Sequence, residues 1–141
     1  MGTGSWSPSC ALKRSRSSSP LVVTAQRRAG CIVSLRVHGH SRLARPGEDI
    51  VCAGVSALVQ SAAYGVKHHA RANAAVNDDP DDDYVLELLD ARNECAQVVL
   101  ETALSGLRAI AREYPRQLRV LARAAAPRRV RRAHRGAPQP S

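Results

Sequence analysis

Residues 39 to 56 place a histidine, His40, at the end of one apolar run and a cysteine, Cys52, near the start of the next. A thiol is a strong nucleophile only as the thiolate, and a nearby imidazole and a helix N-terminus both favour its ionisation. Asp49 is a good N-cap, so a helix starting there carries Cys52 at its third position, where the dipole and free N–H groups act on it. Those N–H groups can also hold the negative oxygen of a tetrahedral intermediate. Asp49 could orient the imidazole as well as cap the helix. Ser56, one turn beyond Cys52, can hydrogen-bond near the thiol, and Gly39 and Gly47 give backbone freedom at the two ends of the connecting loop. Two other readings stay open on residue types alone. Cys52 can be a small buried hydrophobe beside an ordinary loop histidine, or His38, His40 and Cys52 can ligate a metal.

The elements needed to position this pair are legible as patterns. Leu21 to Gln26 and Cys31 to Val37 read as two strands of a hairpin around a turn at Arg27 to Gly30. A first helix follows Asp49, with Ile50, Ala53, Ala57, Leu58 and Ser61 recurring at helical spacing, rich enough in Ala and Gly to approach a neighbour closely and to be the buried one. Lys67 to Ala72 and Asp83 to Leu88 are candidate strands around a polar linker. The aspartates from Asp78 to Asp83 lack the glycine-bearing spacing of a calcium loop and read as a solvated turn. A second helix spans about Asn93 to Glu113, with an apolar stripe through Ala96, Val99, Leu100, Ala103, Leu104, Leu107, Ile110 and Tyr114, and Pro115 ends it. Leu118 to Leu121 make a closing strand. The fold class expected is α+β, an antiparallel sheet with two helices packed against it.

Charge is segregated. All 12 acidic residues lie between Glu48 and Glu113, opposed there by five basic ones, and every other Lys and Arg of the 21 sits outside that segment. Basic ends suit phosphate-rich partners such as RNA, or are simply solvated, and the few aromatic residues argue against sequence-specific reading. The organisation expected is a disordered basic leader over 1–20, one domain over 21–123 and a disordered arginine-rich tail over 124–141. The leader also suits an organellar transit peptide, or a true start near Leu21 or Val22. The four cysteines, Cys10, Cys31, Cys52 and Cys95, form no zinc or disulfide framework, and Cys95 reads as core or boundary packing. His68 and His69 read as strand or surface residues. No run of about 18 uncharged apolar residues is present, so no membrane contact is expected.

The string Gly39-His40, then Gly47-x-Asp49-Ile50-Val51-Cys52-Ala53-Gly54-Val55-Ser56-Ala57-Leu58, resembles the ribosomal-processing cysteine protease family Prp. Glu94, Ala96 and Gln97 at the start of the second helix, and Glu113-Tyr114-Pro115 at its end, extend the likeness over about Leu21 to Leu121. The resemblance implies a cysteine endopeptidase that removes the N-terminal extension of large-subunit ribosomal protein bL27 during ribosome biogenesis, working in the cytoplasm as a homodimer without cofactor or metal. It implies Cys52 as nucleophile and His40 as base, with Asp49 and Ser56 in support and Gly39 and Gly47 as hinges of a mobile loop. Ser41, Arg42 and Arg45 depart from the family's less basic loop. The rival reading is a ribosome- or RNA-associated binding protein with an inactive dyad.

Overall fold

The computed structural model describes residues 20–39, 50–79 and 83–127. Strands β1 (Leu21–Arg28) and β2 (Cys31–His38) form the expected hairpin, and helix α1 (Ile50–Tyr64) follows. Strands β3 (Ala74–Asn77) and β4 (Tyr84–Leu88) come next, then helix α2 (Glu94–Glu113) and strand β5 (Leu118–Ala124). The hairpin turns through Ala29 and Gly30, both at positive φ, the pairing that matches the twist of two-residue hairpins. The register shifts between Gln26 and Arg27, which skips Val33 and explains two consecutive buried residues, Ile32 and Val33.

The sheet has the order β3-β4-β2-β1-β5, and it is not wholly antiparallel. β5 runs parallel to β1, from Leu21 beside Leu118 to Arg27 beside Ala124. The reason lies in the connection. β1 and β4 both run antiparallel to β2, so they are parallel to each other. A single helix, α2, then reverses the chain once, so β5 must run the way β4 does.

Both helices cover one face of the sheet. Leu21, Val23, Val51, Val55, Val59, Leu107 and Leu118 form one apolar cluster, and a second gathers around Ile32, Leu35, Val66, Leu86, Leu100 and Leu104. α2 fully buries Ala96, Leu100, Ala103, Leu104 and Leu107 of its expected stripe, while Val99, Ile110 and Tyr114 are partly buried at its flanks. α1 is buried through the opposite face from the one its spacing suggested: Val51, Val55, Val59, Ala62 and Ala63 point inward, whereas Ile50 is 62% exposed and Ala53, Ala57 and Ser61 face outward. The close approach to α2 is present. A Cβ on Gly65 would lie 3.0 Å from Val99 Cγ1, and one on Gly106 would lie 3.1 Å from Leu58 Cδ1.

The expected strand over Lys67 to Ala72 is instead a continuation of α1 as a π turn, Gly65–His69, closed by Ala70 N–H donating to Gly65 O. Burial of Val66 and stacking of Tyr64 on the His68 ring, centroids 4.3 Å apart, hold the chain helical there. Ile50–His69 is long and apolar enough to cross a bilayer by length and composition. Its inward face is nevertheless packed into the core.

Three polar devices tie the layers together. Asn93 caps α2 by accepting from Ala96 N–H at 2.9 Å and donates to Ala70 O at 2.9 Å, joining the end of one helical segment to the start of the other. Asn93→Ala should lower stability by about 1–2 kcal/mol, the cap and the buried carbonyl being lost together. Asn93→Asp, which keeps only the cap, should fall between in a urea melt. Gln97 accepts from Ile32 N–H at 2.8 Å and donates to Ile32 O at 2.9 Å, so it binds α2 to β2 as a strand neighbour would.

Arg27 donates to Glu101 through both terminal guanidinium nitrogens, Nη1 to Oε1 and Nη2 to Oε2, the latter at 3.0 Å. That hydrogen bond first, and then the charges of Arg27 and Arg108, hold the Glu101 carboxyl below its ordinary 4.5 against the opposing effect of burial. A depressed folded pKa gives stability that is complete above the ordinary value and lost as pH falls below it. Glu101→Gln should therefore flatten the fall in urea midpoint between pH 6 and pH 3, at a cost at pH 7 of under about 1 kcal/mol because the pair is partly exposed. A pH slope equal to the parent's would refute this.

Candidate active site

Cys52 occupies the third position of α1, inside the first turn, where backbone N–H groups have no helical acceptor. It is 7% exposed and one of the buried core residues, beside Val51 and Val55 of the first apolar cluster. The other two described cysteines, Cys31 and Cys95, form no disulfide. Cys95 is exposed on α2, not packed as its helical position suggested, because the α2 stripe passes through Ala96 instead.

The end of β2 does face the start of α1. Val37 packs against the cluster that contains Val51 and Val55, and with Val55, Ser56, Val59, Gln60 and Tyr84 it lines a notch of about 70 Å³. Beyond Val37 the strand leaves through Gly39 at φ +90°, close against Pro20 and Leu21. His40, Gly47 and Asp49 lie outside the described residues. What is described is their frame: the strand end leading into His40 and the helix turn holding Cys52, with Ser56 half-buried one turn further on.

His38 belongs to a different surface. It pairs with Val22 in register, and Val22 alternates with Leu21 and Val23, which point to the helices. The His38 ring thus lies on the face away from α1, where its Nδ1 meets Asp83 Oδ1. This placement removes the metal reading that joined His38 to Cys52. Asp83 also lies 3.8 Å from Arg36, so this aspartate binds strands rather than only solvating a turn.

Tyr84 was not singled out from sequence. It is a notch residue whose phenol is pushed up to about 12, by burial first and by Asp78 second, so it remains a neutral hydroxyl through the physiological range. Only strand alternation, which turns Tyr84 toward the helices, could have found it.

Residues 21–119 match the family described as Cysteine protease Prp. The chain belongs to the Prp family. It is accordingly a cysteine protease. The ribosomal processing cysteine protease Prp of Staphylococcus aureus is 29% identical over 92 residues, 64% of this chain and 87% of that protein. The fold matches the structure of the essential S. aureus ribosomal processing protease Prp with a covalently linked product peptide, at a TM-score of 0.69 and 27% identity, covering 72% of this chain and 98% of that one. The same protease with a substrate peptide aligns at a TM-score of 0.63 and 25% identity, covering 73% and 97%. A Streptococcus mutans protein shares the fold at 0.67 and 24% identity, covering 76% and 100%.

Proposed function

We propose that Cys52 and His40 are the catalytic dyad of an endopeptidase that removes the N-terminal extension of ribosomal protein bL27 in the cytoplasm during ribosome biogenesis. The observation that carries this reading is Cys52 in the first turn of α1, opposite the strand end that runs into His40, in a chain of a cysteine protease family. His40 takes the thiol proton and Cys52 Sγ attacks the scissile carbonyl carbon. The N–H groups at the start of α1 hold the oxyanion while the imidazolium returns its proton to the leaving amine. Water activated by the neutral imidazole then cleaves the thioester and restores the thiol. Asp49 caps the helix and orients the imidazole, Ser56 hydrogen-bonds near the thiol, and Gly39 and Gly47 bound the loop between base and nucleophile.

The leader over 1–20 and the tail over 124–141 flank the protease domain and offer basic contacts to ribosomal RNA. A homodimer is supported by the apolar outward face of α1, where Ile50 and Tyr64 are 62% and 59% exposed. Incubation with a peptide spanning the bL27 extension tests the reading: one internal cut releasing the extension is expected, and an uncut peptide would reject the substrate. The rival reading of an inactive RNA-binding protein draws no support from the site.

A further inference from the structure

The sheet face turned away from the helices carries a groove of about 310 Å³, on the opposite side of the sheet from α1 and Cys52. Cross-strand register fixes what lines that face. Val22, Thr24 and Gln26 of β1 stand opposite His38, Arg36 and Ser34 of β2 on one side, and opposite Arg119, Leu121 and Arg123 of β5 on the other. With Arg28, four exposed arginines lie on three adjacent strands, and none of those strands contains an acid. The fifth arginine of these strands, Arg27, points to the helix side and is neutralised by Glu101. Among the described residues, acids reach this face at and just before β4, where Glu87 lines the groove and Asp83 contacts His38 and Arg36.

The groove also receives the start of the C-terminal segment. Ala125 N–H donates to Arg27 O at 2.7 Å, Arg28 Nη2 donates to Ala126 O at 3.1 Å, and Ala125 and Ala126 line the groove. The chain continues from Pro127 into Arg128, Arg129, Arg131, Arg132 and Arg135, again without an acid. The basic face and the basic tail are therefore joined where the groove begins.

We infer that the open face of β2, β1 and β5 is a docking surface for the phosphate backbone of RNA, with Arg36, Arg119 and Arg123 as its anchors. The inference sharpens the RNA contact proposed above and does not depend on the dyad. Charge selects a polyanion, and the lack of aromatic residues on these strands makes the contact a backbone one, indifferent to sequence. A bilayer fits less well. Of the large exposed apolar side chains only Leu89 borders the groove, while Ile50, Tyr64 and Val98 lie on the helices, which is too little apolar surface to insert.

The test uses the full chain and a fluorescent 20-nucleotide single-stranded RNA, with anisotropy read across salt concentrations. Counterion release at single strands gives a slope of about −0.7 per neutralised phosphate, so R36Q/R119Q/R123Q should flatten log K against log salt by about 2 and weaken binding about 100-fold near 0.1 M salt. The matching Arg→Lys variant should bind like the parent. Both should cleave the bL27 peptide at the parent rate, which separates a failed RNA surface from a failed protease. The inference is overturned if the glutamine variant binds RNA like the parent while Arg→Gln at the five tail positions abolishes binding, since the tail then acts alone. It is also overturned if the lysine variant fails like the glutamine one, or if the parent ignores RNA but binds phosphatidylserine vesicles.

Discussion

Cys52→Ala is expected to lower kcat/KM for the bL27 peptide by about 10⁴-fold or more, while Cys31→Ala and Cys95→Ala stay within about twofold of the parent. Removing the nucleophile of a covalent protease leaves only substrate binding and the oxyanion donors, and the residual rate in such enzymes is small. Cys52→Ser should be nearly as poor, because a hydroxyl in the same place does not ionise as the thiol does. Cys52 is buried, so truncation to alanine should cost about 1–2 kcal/mol, and a urea melt then separates loss of activity from loss of fold. The three described cysteines differ enough to make the comparison informative. Cys95 sits exposed in the first turn of α2 and should react with iodoacetamide. Only Cys52 modification should track loss of cleavage. Equal cleavage by Cys52→Ala and the parent would sink the assignment of the nucleophile.

The cysteine at the head of a helix was legible in sequence because its signals are local: a capping residue, a helical run behind it and a fixed spacing from a histidine. α2 was legible for a similar reason, since its polar and apolar faces are clearly separated and Leu100, Leu104 and Leu107 could point only one way. α1 was not. It is apolar all round, with Ile50, Ala53 and Leu58 as hydrophobic as Val51, Val55 and Val59, and which stripe is buried depends on where the sheet lies. The parallel β5 escaped for the same kind of reason, because alternation along Leu118 to Ala124 says which residues face inward and nothing about strand direction. His68 and His69 show a third limit: a π turn held by the burial of Val66 and a Tyr64–His68 stack has no local signature that separates it from a short strand. At the site, Val37 and Tyr84 meet Ser56 only through the fold, so no spacing along the chain announces the notch.

The second large effect concerns the backbone that delivers His40. Gly39 sits at φ +90°, and a Cβ there would lie 3.0 Å from the backbone carbonyl oxygen of Pro20. That carbonyl cannot move freely, because the next residue, Leu21, donates its N–H to Gln117 O at 2.8 Å and begins β1, which is paired on both sides by β2 and β5. In Gly39→Ala, then, it is the chain after His38 that must shift. Gly30 provides the control: it has φ +80° with nothing within 4 Å of its would-be Cβ, so Gly30→Ala carries the conformational strain without the clash, on the hairpin turn. Each substitution should cost about 1–2 kcal/mol for a left-handed alanine, a drop in Tm of roughly 5–10 °C. They should part company in catalysis. A displacement of about 1 Å at a catalytic group can cost about 100-fold, so Gly39→Ala should lose about that factor in kcat/KM, with the alkylation rate of Cys52 falling as its base is misplaced. Gly30→Ala, at the other end of the hairpin, should cleave at the parent rate once assayed below its Tm. If the two variants cleave equally well, the exit of β2 through Gly39 does not position the base.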